Sequence, residues 1–254
     1  EEDITAPTGG SLTVPNITSN NATPAIAFTG STDGAGAGIG TVQLQQRDGI
    51  FSGGSCAPAG GWTTVATNPV SPWSPAPLAS GRCYEWQLLV SDRVGNVQTI
   101  SSASVYKLDT VAPTGAIDGL PVDPFSGTVT ISGTASDGLS GVASVDVTWT
   151  GPAASSGNIC LSPALSAPPD PRTWSCSWPT PPVDGSYTMT LTVRDVAGNV
   201  SAPITRVVIV DNQAPTLSFD TIVETGGNQY QFSDLPNRKH YYNPNQTGNF
   251  EVRF

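Results

Sequence analysis

Six aspartates stand at matched positions in two halves of this 254-residue chain: Asp3, Asp33 and Asp92, then Asp109, Asp137 and Asp195. Each comes with oxygen- and amide-bearing neighbours in a short glycine-rich stretch. Asp92-Arg-Val-Gly-Asn96 is echoed by Asp195-Val-Ala-Gly-Asn199, and Thr32-Asp33-Gly34 by Ser136-Asp137-Gly138. Two chemistries suit such residues. Three carboxylates drawn into one small volume repel one another unless a cation neutralises them, and calcium accepts six to eight oxygen ligands in flexible geometry. Alternatively, each aspartate caps the backbone of its own turn and needs no metal. Four cysteines form the second reactive set, two per half: Cys56 with Cys83, and Cys160 with Cys176. Pairing within each half gives two disulfides and implies an oxidising, extracellular or cell-surface setting. A zinc site is disfavoured, because no C-x2-C spacing exists and His240 is the lone histidine.

The elements that must position these residues follow from a repeated phrase. Asp3-Ile-Thr-Ala-Pro-Thr8 returns as Asp109-Thr-Val-Ala-Pro-Thr114 and Asp211-Asn-Gln-Ala-Pro-Thr216. Its period matches one immunoglobulin-type sandwich of about 100 residues. The chain therefore reads as all-β: tandem immunoglobulin-like β-sandwiches, extended end to end, over 1–108 and 109–210, with an incomplete third unit over 211–254. Strands are expected at Ser11–Val14, Ala25–Thr29, Thr41–Gln46, Trp62–Ala66, Tyr84–Val90 and Ser101–Leu108. The second repeat offers Thr128–Thr134, Val142–Thr150, Thr173–Trp178, Tyr187–Val193 and Ile204–Val210, with Cys160 in a loop rich in Ala, Ser and Pro. Alternation is clearest where Tyr187, Met189, Leu191 and Val193 share one face and Thr188, Thr190 and Thr192 the other. Asp184-Gly185-Ser186-Tyr187 reads as a tyrosine corner. In the third unit the expected pieces are Leu217–Val223, Tyr230–Phe232, His240–Tyr242 and Asn249–Phe254. They lack opposing strands, so either the array continues or another molecule completes the unit.

In such a sandwich the linker, the B–C loop and the F–G loop meet at one pole. That places Asp3, Asp33 and Asp92 together in the first repeat, and Asp109, Asp137 and Asp195 in the second.

Composition narrows the function classes. Twenty acidic against ten basic residues give a net charge of −10, which disfavours nucleic acid and anionic membrane surfaces as partners. No apolar run reaches membrane-spanning length, so direct membrane insertion is not expected. No H-E-x-x-H, G-x-S-x-G or phosphate-loop motif occurs, and the reading is non-catalytic. Trp62, Trp73, Trp174 and Trp178 lie nearer loops, where core packing competes with a sugar-stacking platform.

The order Asp-x-x-Ala-Pro-Thr, Ser-Asp-Gly-x-Ser-Gly-Val and Asp-x-x-Gly-Asn resembles the bacterial Ig-like repeats of large cell-surface and adhesin-type proteins. The resemblance covers residues 3–211 twice over and the start of a third copy. It implies display at a cell surface as a spacer or stalk, and calcium at the junctions, as some giant adhesins carry. The partners it implies are neighbouring repeats of the same chain, copies of itself in a filament, or a cell-surface or glycan ligand. An accessory carbohydrate-binding module of a secreted enzyme is the remaining rival.

Overall fold

The computed structural model describes the backbone of residues 2–216, 221–225, 231–234, 239–242 and 249–253, and the side-chain surroundings of 2–216. Among the described residues its regular elements are all strands, apart from one 3-10 turn at Pro152–Ala154. Chain contacts divide it into Glu1–Asn212 and Gln213–Phe254. Within the first unit two separate hydrophobic cores form, one from Val14 to Leu108 and one from Phe125 to Val210.

The first core is closed by β1 (Thr8–Thr13) and β3 (Ala27–Thr32) on one side. A larger sheet faces them: β2 (Thr18–Ser19), β4 (Ile39–Ser52), β5 (Ser55–Pro58), β6 (Thr63–Thr67), β7 (Arg82–Asp92), β8 (Val97–Ser101) and β9 (Tyr106–Leu108). The expected Ser101–Leu108 strand is split into β8 and β9. The break falls where the Ser102 hydroxyl takes the Ser104 N–H at 3.0 Å, a local bond that competes with the ladder. Tyr84, Trp86, Leu88 and Val90 alternate inward from β7 and are all buried.

The second core lies between β10 (Thr114–Gly119), β11 (Thr128–Ser136) and β14 (Arg172–Pro179) on one face, and β13 (Ser156–Leu161), β12 (Val142–Thr150), β15 (Gly185–Asp195) and β16 (Ile204–Val210) on the other. Three plus four strands differ from the four plus three of an immunoglobulin constant domain, because β13 pairs with β12 rather than with β14. Cys160 is thus on a strand and not in the loop expected for it. Tyr187, Met189, Leu191 and Val193 are fully buried, as their alternation requires, at about 1.5–3 kcal/mol for each apolar side chain.

Both tyrosine corners form. The Tyr187 hydroxyl donates to the Val183 carbonyl at 2.7 Å, and the Tyr84 hydroxyl to that of Ala79 at 3.0 Å, although the first repeat lacks the preceding Asp-Gly. Tyr187→Phe keeps the ring in its pocket and loses one buried bond. We expect it to destabilise the second repeat by about 1 kcal/mol in urea unfolding.

The two disulfides cross different parts of the scaffold. Cys56–Cys83 joins β5 to β7, both partners of β4, whereas Cys160–Cys176 joins β13 to β14 and so ties one sheet to the other.

The greatest divergence between the repeats is at the strand after β6. In the second repeat β14 pairs with β11 along Thr128–Ala135. In the first, Pro69, Pro72, Pro75 and Pro77 remove backbone donors from the corresponding segment. There the pairing is reduced to the bridge between Ile26 and Trp73, the Leu78 N–H on the Ala22 carbonyl at 2.9 Å, and the Ser71 hydroxyl on the Phe28 N–H at 2.9 Å.

In the unit Gln213–Phe254, β17 (Thr221–Thr225) pairs with β20 (Asn249–Arg253), and β18 (Gln231–Asp234) with β19 (Lys239–Tyr242). The expected strand positions 217–220, 230 and 254 lie outside the described residues.

Candidate metal centres at the head of each repeat

The two aspartate trios assemble as their loop positions imply. In each, one carboxylate oxygen per residue lies within 4.8 Å of the others: Asp3, Asp33 and Asp92 in the first, Asp109, Asp137 and Asp195 in the second. One member comes from the linker entering the repeat. The second comes from the loop between β3 and β4 or between β11 and β12, and the third from the end of β7 or β15.

The same bonds hold both trios. Asn96 Nδ2 donates to Asp92 Oδ2 at 2.6 Å and to the Asp3 carbonyl at 3.2 Å; Asn199 Nδ2 donates to Asp195 Oδ2 at 2.7 Å and to the Asp109 carbonyl at 2.9 Å. The asparagine of each Asp-x-x-Gly-Asn turn therefore ties the linker to the F–G loop. Gly95 and Gly198 supply the left-handed backbone these turns need, at φ of 102° and 96°. The linker aspartate also accepts from the B–C loop. Asp3 Oδ2 takes the Ala37 N–H at 2.6 Å, and Asp109 Oδ2 the Ser140 N–H at 3.1 Å. Asp33 and Asp137 accept backbone N–H groups of their own loops through Oδ2, from Gly38 at 2.6 Å and from Gly141 at 2.7 Å, which leaves Oδ1 outside these bonds. The turn-capping chemistry expected of these aspartates is thus present, and it coexists with their convergence.

Electrostatics separates the two centres. Asp3 has its carboxyl held below the ordinary range by the N–H groups of Ala37 and Thr5. At Asp92 burial pushes the carboxyl upward, but Asn96 and the N–H groups of Asn96, Gly95 and Val94 outweigh it, and the net shift is down. Asp195 is shifted up, first by burial and further by the charge of Asp109. All three members of the second trio are buried. The first opens onto a cleft of about 540 Å3 that Glu2 also lines. Among the described residues the ion pairs Arg47–Glu85 and Arg82–Asp48 lie elsewhere, so no basic side chain neutralises either trio.

The second centre is covered partly by the first repeat. At the tip of the β4–β5 hairpin, Gly53 and Gly54 donate their N–H groups to the carbonyls of Gly138 and Leu139 at 3.2 and 2.8 Å. Those carbonyls belong to the loop that carries Asp137. One contributor was not legible in the sequence. Asp170 accepts the N–H groups of Asp137 and Val142 at 2.8 and 3.1 Å and so pins both ends of that loop. It comes from a proline-rich stretch with no counterpart landmark in the first repeat.

The tryptophans give no exposed platform. Trp174 and Trp178 are buried in β14, Trp73 is half-buried, and Trp62 is half-buried beneath the Arg47 guanidinium, 4.7 Å from its ring. No helix among the described residues is long and apolar enough to cross a membrane.

Comparison with known proteins returned no matching family and no matching curated protein. Among solved structures, the chain is similar to the fibronectin(III)-like modules of Clostridium thermocellum CbhA, at 15% identity and a TM-score of 0.39, covering 80% of this chain and 95% of that one. Chicken CNTN1 domains FN1-FN3 match at 13% identity and a TM-score of 0.34, over 82% of this chain and 69% of that one. The D00-D0 domain of intimin matches at 13% identity and a TM-score of 0.26, over 80% and 100%.

Proposed function

We propose that this chain is a non-catalytic extracellular repeat region, a spacer or stalk of a bacterial surface or adhesin-like protein, in which calcium locks each repeat to its entering linker. The observation that carries this reading is the duplication of the trio. Both times a linker carboxylate is brought against two loop carboxylates of the following repeat, with no ion-paired basic side chain among the described residues to balance them.

The donor set is all oxygen, which suits calcium rather than a softer metal. Asp3, Asp33 and Asp92 would hold one ion, and Asp109, Asp137 and Asp195 the other. A bound dication supplies positive charge where three carboxylates meet. The chain's own residues do the rest: the asparagines fix the linker carbonyl, and the loop N–H groups aim the carboxylates. Because the linker is one of three arms, binding restricts the angle between successive repeats. The two disulfides suit an extracellular location.

Thermal melting with small-angle scattering, in calcium and then in chelator, tests this. A calcium level a hundredfold above the dissociation constant adds about 2.7 kcal/mol, and so raises the melting temperature on the order of 5–10 °C. The expected scattering change is a narrower distribution of shapes in calcium. Superimposable melts and scattering curves in millimolar calcium and in chelator would return the aspartates to turn capping alone.

A further inference from the structure

The β4–β5 hairpin reaches further than its counterpart in the second repeat. Val42 faces Val90 and Val145 faces Val193, each partner standing two residues before the matched Asp92 or Asp195. The two valines therefore hold equivalent places. From there β4 stays paired as far as Ser52 opposite Ser55, whereas the β12–β13 pairing stops at Thr150 opposite Ser156. The extra length ends in a two-glycine turn. Gly53 and Gly54 lie at φ of 56° and 75°, the left-handed pair that a tight hairpin of this kind requires.

The projection is braced from its own side. Phe51 is buried and gives its N–H to the Gly81 carbonyl at 3.0 Å, and Cys56, opposite Phe51, is bonded to Cys83 of β7. Lys107 Nζ donates to the Gly54 carbonyl at 3.3 Å. What the tip meets is the loop that carries Asp137. Beside the bonds from Gly53 and Gly54 to the carbonyls of Gly138 and Leu139, the Leu139 side chain lies against Gly81, where an added Cβ would stand 3.7 Å from it. Other groups of the loop are held as well. The N–H groups of Leu139 and Gly141 go to Asp137 Oδ2, that of Ser140 to Asp109 Oδ2, and the Gly141 carbonyl takes the Val196 N–H at 3.0 Å. The linker is seated on the first repeat too, with the Asp109 N–H on the Ser19 carbonyl at 3.0 Å and the Thr110 N–H on the Ser80 hydroxyl at 2.8 Å. Contacts from the first repeat thus fix the segments that carry Asp109 and Asp137, two members of the second trio.

We infer that the β4–β5 hairpin is a strap that holds the Asp137 loop in its converged form, and that seating of the strap and filling of the second centre by a divalent cation reinforce each other. The coupling rests on the calcium reading above; the strap itself does not. Its route is the backbone of residues 137–141. A cation that draws Asp137 against Asp109 and Asp195 fixes that backbone, so the carbonyls of Gly138 and Leu139 stay aimed at the tip. A seated tip, in turn, has already ordered the loop that the cation needs. By linkage, the factor by which the strap tightens the cation equals the factor by which the cation tightens the strap. Among the described residues, the cleft at the first centre is lined only by its own linker and loops, so that centre lies outside the coupling.

Amide exchange of the full chain, read at Gly53 and Gly54 in chelator and then in millimolar calcium, tests this alongside calorimetry of calcium binding. Both glycines are exposed at the tip of a turn, so protection there reports their bonds to Gly138 and Leu139. In chelator they should exchange more slowly than Gly60 and Gly61, which are exposed in a loop. Calcium should slow them at least about fivefold more. Leu139→Ala removes the contact with Gly81 and leaves the hydrogen-bonding groups of the loop in place. It should speed exchange at both glycines and weaken the second calcium event by a similar factor, while unchanged protection in β15 shows that the repeat stays folded. Exchange at Gly53 and Gly54 as fast as at Gly60 and Gly61 would overturn the strap. Calcium binding seen by calorimetry with no change at Gly53 and Gly54 would overturn the coupling. Protection that Leu139→Ala abolishes, with no heat of calcium binding, would uphold the strap and remove the calcium reading instead.

Discussion

Replacing Trp178 by alanine will destabilise the second repeat by about 3–5 kcal/mol, the largest effect expected of any single substitution here. Trp178 is 1% exposed, on the strand that faces β15, and its ring meets that of Tyr187 edge-on with centroids 6.0 Å apart. Close packing leaves no route for the surrounding side chains to fill the void completely, so the cost combines lost transfer energy and a residual cavity. Trp178→Phe should fall well short of that loss. The indole Nε1 is buried with no hydrogen-bond partner, and removing it discards an unsatisfied donor. Urea unfolding followed by the fluorescence of the remaining tryptophans distinguishes the pair. Equal losses for alanine and phenylalanine would mean that Nε1 has a partner and that the packing is not what holds Trp178.

Removing the Cys160–Cys176 disulfide as a double alanine variant will cost the second repeat about 3 kcal/mol. The closed loop is short, with a sequence separation of 16, and the chain-entropy model gives about that value for a loop of this length. Position adds to it. This bond connects the outer strand of one sheet to the outer strand of the other, and among the described residues β13 has one strand partner, β12. Reduction should therefore expose β13 first, seen as rapid amide exchange at Asn158 and Ile159 while β15 stays protected. Uniform loss of protection across the repeat would contradict that order.

The parts of this fold that were legible in sequence are those where one local pattern decides the outcome. Tyr187 to Val193 alternates so strictly that both its strand and its inward face follow. The aspartate trios were legible for a different reason: three landmarks recur in order, and a sandwich brings their loops to one pole. What escaped was decided by partners far along the chain. Ser156–Leu161 has weak alternation and became a strand because β12 offered it an edge. The reverse happened in the first repeat. There, proline spacing cancelled a strand whose partner edge was fully formed. Asp170 escaped too, because only tertiary structure carries it to the N–H groups of Asp137 and Val142.

The repeats also show how one scaffold is tuned twice. At Asp92 the upward push of burial is outweighed by Asn96 and the surrounding N–H groups, and its partners Asp3 and Asp33 line a cleft, whereas Asp195 is shifted up by burial and by Asp109. Without a cation, the second trio holds the more costly concentration of negative charge, and it gains more from one.

Calcium titration by calorimetry, comparing the unaltered chain with Asp137→Asn and Asp33→Asn, tests the central claim most directly. Asparagine keeps an oxygen to accept the loop N–H groups, so turn capping survives while a ligand charge is lost. The account predicts two binding events, with Asp137→Asn abolishing the tighter and Asp33→Asn the weaker. A titration indistinguishable from buffer, or one that neither substitution alters, would contradict it.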